Sequence, residues 1–200
     1  MKKSAINIPE GCTRVLLHAC CAPCSSAIVE WLTAHEIEPV IYYYNPNIYP
    51  REEYEIRKNE SKRHAENLGI RWIDGDNGEW QAQHDKWRCT VTGLENEPER
   101  GKRCEVCFYH RLLAAARKAQ ELGIPFFATT LASSRWKNID QVNAAGIAAQ
   151  KAIICADSPQ FWAQNWRKDG LQDRRNALLK EYGFYNQQYC GCEFSQAARA

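Results

Sequence analysis

The chain has 200 residues, 44% apolar and 25% charged, with a formal net charge of +2. That suits one sizeable globular core and excludes a polycation. No run is long and apolar enough for a membrane span, and the basic start Met1-Lys2-Lys3 lacks the apolar stretch of a secretory signal, so the expectation is a cytoplasmic protein with reduced thiols and no membrane contact.

Strands and helices alternate along the chain. Arg14–Ala19 reads as a buried strand, and Ser25–His35 carries apolar residues at helical spacing. Pro39–Tyr44 is a β-branched and aromatic run, the second strand, and the turn Asn45–Pro50 leads into a charged helix from Arg51 to Leu68, ended by Gly69. Ile70–Ile73 predicts a third strand, closed by the turn Asp74–Gly78. The polar stretch Gly93–Arg103 reads as an exposed loop. A helix over Cys107–Leu122 stops at Gly123-Ile124-Pro125, Phe126–Thr130 is a fourth strand, and Asn138–Ala152 and Asp169–Tyr182 are further helices. This order predicts an α/β fold, a parallel sheet flanked by helices, in a single domain spanning 1–200. No repeat, low-complexity segment or linker interrupts it.

Cysteines carry the chemistry. Seven of the ten fall into three groups: Cys20, Cys21 and Cys24; Cys104 and Cys107; and Cys190 and Cys192. In a reducing compartment such grouping means metal binding or catalysis rather than a disulfide framework. Cys12, Cys89 and Cys155 stand apart and read as small buried apolar residues. Cys20 and Cys21 follow the first strand, where α/β sheets bind ligands, and Cys104 and Cys107 open a helix, where the partial positive charge favours thiolate. Four thiolates suit zinc or iron–sulfur. An adjacent pair joined to a distant Cys-x-x-Cys departs from the two-knuckle zinc pattern, which favours iron–sulfur. Cys21-Ala22-Pro23-Cys24 also fits a thioredoxin-like motif. Cys190-Gly191-Cys192 can close a strained, labile disulfide ring or supply two more metal ligands. Basic groups interleaved with seven Trp and nine Tyr suit either a nucleic-acid surface or solvated helix faces.

Five segments in order then resemble one family: Leu17–Cys24, Tyr44–Pro50 with Glu53-Tyr54, Cys104-x-x-Cys107 with Arg111, Thr129–Ser133, and Tyr185–Cys192. Together they are similar to the QueH-type epoxyqueuosine reductases, over about Arg14 to Ser195. The resemblance implies a fold like the HUP group of adenine nucleotide α-hydrolases. It also implies reduction of epoxyqueuosine to queuosine at the anticodon wobble position of tRNA, the last step of queuosine biosynthesis. Carried onto this sequence, Cys20, Cys21, Cys104 and Cys107 would ligate a [4Fe-4S] cluster. Cys190 and Cys192, on a C-terminal segment of about 184–200, would form the redox-active pair. An unidentified electron donor would complete the cycle. Asn165-Trp166-Arg167-Lys168 stands where an Asp-Phe-Arg-Lys pattern is expected, so an acidic role there is lost. The chain lacks the Ser-Gly-Gly-x-Asp-Ser loop of the ATP-dependent tRNA thiolases of related fold.

Acting on an anticodon base requires splaying it from its stack. Tyr42, Tyr43, Tyr44, Tyr49, Trp136 and Tyr189 are candidate stacking residues, and Arg51, Arg57, Arg135 and Arg167 candidate phosphate contacts. Tyr43, Tyr44, His18 and Asp140 are candidate proton donors. His18 reads first as a strand residue satisfied by its neighbours.

Overall fold

The computed structural model describes residues 6–155 and 157–197; residues 1–5, 156 and 198–200 of the expected 1–200 domain lie outside the described residues. Five strands, β1 (Arg14–His18), β2 (Glu38–Tyr43), β3 (Trp72–Asp74), β4 (Phe126–Thr129) and β5 (Gln160–Phe161), form one sheet in the order β3-β2-β1-β4-β5. Every pairing is parallel. This is a doubly wound α/β order, as the HUP-like expectation requires.

Burial on both faces explains the sequence of the central strand. Val15, Leu16 and Leu17 are fully enclosed in β1, with Leu16 in register with Val40 of β2 and Phe127 of β4. A parallel strand covered on both faces reads as an unbroken apolar run, each such side chain contributing about 2 kcal/mol by burial.

Among the described residues seven helices surround the sheet: α1 (Ala22–Ala34), α2 (Arg51–Asn67), α3 (Trp80–Thr90), α4 (Lys102–Glu121), α5 (Ile139–Lys151), α6 (Leu171–Glu181) and α7 (Glu193–Ala197). Helix α1 packs on α2 and α6, whereas α4 packs on α3 and α5. Helix α1 starts three residues earlier than its apolar spacing suggested, because Pro23 sits in its first turn, where a missing N–H costs nothing. Sequence reading missed α3, β5 and α7. No helix among the described residues is long and apolar enough to cross a membrane.

The order reverses between β1 and β4, and the crevice at their carboxyl ends is where such sheets bind ligands. Cys20 and Cys21 follow β1 directly, and a 3-10 turn, Thr130–Ser133, follows β4. The two ends are tied together: the Cys20 N–H donates to Thr130 Oγ1 at 3.1 Å.

Candidate cysteine centre

Cys21 caps the N-terminus of α1 in extended backbone, and Cys24 lies one turn inside the helix. This geometry returns Cys24 to the pair before it. The sulfurs of Cys20, Cys21 and Cys24 are buried within 4.8 Å of one another, and together they could hold a metal ion. Cys20 and Cys21 sulfurs are 3.8 Å apart. Hydrogen bonds from the Cys21 and Cys24 thiols, helped by the Lys137 charge and Thr130, hold Cys20 well below the ordinary thiol pKa despite its burial. Cys21 is pushed up by burial and by its neighbours. Cys24 rises to about 11, chiefly through its bond to Cys20. The trio therefore concentrates negative charge on Cys20. Thr130 Oγ1 donates to the Cys20 sulfur at 3.3 Å, and Gln187 Nε2 donates to that of Cys21 at 3.0 Å. With Cys21 and Cys24 both buried, the trio lacks the exposed nucleophile of a thioredoxin-like motif.

Helix α4 brings Cys104 and Cys107 in its first two turns. Burial raises Cys104 to about 11, and it raises Cys107 against the opposing charge of Arg111. Buried Arg111 is anchored by donating to Asn45 Oδ1, while Asn45 Nδ2 donates to the Ala19 carbonyl at 2.9 Å. One chain of hydrogen bonds thus joins the end of β1, the turn after β2 and α4.

Residues 184–197 return along α2. Tyr185 donates through its hydroxyl to Glu53 and through its N–H to Glu60, each at 2.7 Å. Arg57, buried and paired with Glu53, donates to the carbonyls of Tyr189 at 3.2 Å and Cys190 at 3.3 Å. The Gly191 carbonyl accepts from the Tyr49 N–H at 2.8 Å, and Cys192 bridges to Ile48. Gly191 has φ +101°, and a Cβ there would lie 2.9 Å from Ile48 Cγ1 and 3.0 Å from Arg57 Nη1. Only glycine fits both constraints. Cys190 and Cys192 are both free thiols. Cys190 lines the cavity, whereas Cys192 is buried with Cys107, Trp87 and Val91.

The cavity itself measures about 440 Å³, and Cys20, Cys24, Cys104 and Cys190 all line it. Its walls carry Arg57, Arg100, Arg111, Arg135, Lys137 and Arg175 against the single acid Glu99. On a chain of net charge +2, that is a local concentration of positive charge. Burial disfavours the Lys137 cation, but Cys190, Cys20 and Cys24 outweigh it and raise its pKa. Sequence reasoning passed over Lys137, whose signal was only its place next to Trp136.

Several expected residues fall elsewhere. Tyr42, Tyr43 and Tyr44 are buried in the core, out of reach of a base. Arg57 serves the 189–190 backbone, and Arg167 spends its guanidinium on the carbonyls of Ser134 at 2.5 Å and Lys137 at 2.8 Å. Of the four candidate proton donors none lines the cavity. His18 is bonded to Thr129 at 2.8 Å and to the Tyr44 carbonyl at 3.0 Å, and burial lowers its pKa to about 3, so it stays neutral. Asp140 sits at the start of α5, its N–H capped by Asn138. Among the lone cysteines, Cys12 is buried as expected, whereas Cys89 and Cys155 are exposed. Asn165 Oδ1 accepts from the Arg167 N–H at 3.1 Å, a turn role that asks for no acid.

The donor set fits an iron–sulfur group. Thiols from two walls face one cationic cavity, and a four-thiolate cluster is anionic. Trp87 and Arg111 both donate toward the Cys107 sulfur and lower its pKa against burial, as donors that support a thiolate ligand would.

Comparison with known proteins identifies the family. The model of the family "Epoxyqueuosine reductase QueH" matches residues 15–198. A protein of that name from Histophilus somni is 43% identical over 190 residues, covering 95% of this chain and 75% of its own length. Those from Haemophilus influenzae and Acinetobacter baylyi are each 42% identical, covering 96% and 95% of this chain and 76% and 84% of their own lengths. With the cysteine motifs at the switch point of the sheet and this match over nearly the whole chain, the protein belongs to the QueH family of epoxyqueuosine reductases.

Proposed function

We propose that this chain reduces epoxyqueuosine to queuosine in tRNA with a [4Fe-4S] cluster held by Cys20, Cys21, Cys104 and Cys107 and with Cys190 and Cys192 as the redox-active pair. One observation carries the reading. Thiols of all three cysteine groups line a single cationic cavity at the carboxyl ends of β1 and β4. The whole chain, 1–200, acts as one catalytic domain whose C-terminal segment carries the redox pair. Its compartment is the cytoplasm, where tRNA is found and thiols stay reduced.

Epoxide deoxygenation takes two electrons and two protons. Two C–O bonds break, a C=C bond forms and the oxygen leaves as water. Oxidation of Cys190 and Cys192 to a disulfide releases two electrons and two protons, so the dithiol balances the reaction. When bound, the cluster supplies one-electron chemistry and polarises oxygen. The protein's own groups do the rest. Burial pushes Cys192 up to about 12, so its proton stays in place until oxidation. Arg57 fixes the successive carbonyls of Tyr189 and Cys190, on either side of the Cys190 Cα. Lys137 and Arg111 place positive charge near the thiols, which offsets the charge of a bound anionic group. An external electron donor then returns the disulfide to dithiol.

The test is turnover on tRNA carrying epoxyqueuosine with excess reductant. Wild type should convert many equivalents, and a Cys190→Ser, Cys192→Ser double variant none. Repeated turnover by the double variant would remove the pair from the mechanism.

A further inference from the structure

The loop that follows the 3-10 turn is built unlike an ordinary surface loop. Trp136 is 61% exposed, yet the backbone beneath it is fixed. Arg100 Nε donates to the Trp136 carbonyl at 2.9 Å, and Arg167 holds the carbonyls of Ser134 and Lys137 on either side. The Trp136 N–H donates to Ser134 Oγ at 3.3 Å. Two arginines, Arg100 exposed and Arg167 half-buried, thus tie down the backbone that presents a large flat ring to water. Arg135 lies over that ring, its guanidinium carbon 4.9 Å from the centroid. Both side chains line the cavity that contains the thiols, together with Arg100 and Arg175.

A rigid exposed indole beside a guanidinium matches an unstacked nucleobase and its phosphate. Unpaired RNA is read by stacking on aromatic and arginine planes, with cations following the backbone. A paired helix offers no free base face to this ring. We propose that Trp136 and Arg135 form a stacking platform at the cavity mouth for an unpaired RNA base next to the nucleotide that enters the cavity, with Arg100 and Arg175 facing its phosphates. This rests on the reading that RNA is the substrate, and it names the face on which the RNA loop docks.

Binding measured apart from turnover tests it. The probe is a fluorescently labelled RNA hairpin with a seven-nucleotide unpaired loop carrying epoxyqueuosine, read by anisotropy against cluster-loaded protein. Trp136→Ala should weaken binding about tenfold and Trp136→Phe less than about threefold, as expected for loss of one stacked base. Arg135→Gln should weaken binding and lower the slope of log Kd against log salt by about one. A fully paired RNA duplex should bind wild type and Trp136→Ala alike. These outcomes hold even if the wild type fails to reduce the hairpin, so this proposal and the reductase reading fail separately. Hairpin binding by Trp136→Ala within twofold of wild type overturns the platform, as does an equal loss on the duplex. Both residues are exposed, so the variants should keep wild-type iron content and melting temperature.

Discussion

Two single residues decide much of the behaviour of this chain. Thr130 is the first, since one hydroxyl both accepts the Cys20 N–H and donates to the Cys20 sulfur. Thr130→Val keeps the shape and removes both bonds, leaving a buried N–H unpaired. The expected loss is about 1–3 kcal/mol of unfolding free energy, measured by denaturant titration. Thr130→Ser should recover most of it. His110 is the second. It stacks on Tyr44, its Nε2 lies 3.1 Å from the Tyr44 hydroxyl, and burial followed by the Arg111 and Arg117 charges lowers its pKa from 6.5 to about 4. Between those values the unfolded chain takes up a proton that the folded chain refuses. His110 therefore contributes stability that is present above about pH 6.5 and lost as pH falls toward 4. At matched cluster content, the drop in melting temperature from pH 7 to pH 5 should be smaller for His110→Gln than for wild type. An unchanged pH dependence would show that the acid sensitivity lies elsewhere.

At the scale of elements, legibility followed burial. β1, β2 and β4 were readable because strands covered on both faces need continuous apolar runs. Helix α3 went unread, although its buried Trp80, His84 and Trp87 stand at helical spacing, because polar and charged residues dominate between them. β5 is a two-residue strand that exists only through pairing with β4, and nothing local specifies it. The C-terminal segment is specified by tertiary contacts too: its path depends on Glu53, Arg57 and Glu60 of α2, more than a hundred residues earlier. Gly191 is the point where that path is tightest. Gly191→Ala introduces a Cβ within 2.9 Å of Ile48 at a positive φ, and should displace Cys190 from the cavity wall and Cys192 from its packing against Cys107. Turnover should fall at least tenfold while iron content holds, and Cys190 should react faster with a thiol-labelling reagent. Wild-type turnover by this variant would mean that the pair tolerates displacement.

For the whole molecule, the sheet order explains why residues 20, 104 and 190 share one cavity. The switch point lies between β1 and β4, α4 delivers its first turns there, and the last segment closes over the result. The cysteine groups were legible as motifs, and so was the family. Their assembly was not, because Cys24 joins Cys20 and Cys21 only once α1 turns it back toward them. Aromatic residues misled more than cysteines did: Tyr42–Tyr44 resemble a stacking surface in sequence but are core, and only exposure separates them from Trp136. The central claim concerns what the thiols hold, and iron and acid-labile sulfide in anaerobically purified protein measure it directly. About four of each per chain are predicted, as a [4Fe-4S] cluster requires, with a brown colour that a Cys104→Ala variant loses. Bound zinc without sulfide, after the same handling, would contradict the account and leave a structural thiolate site in its place.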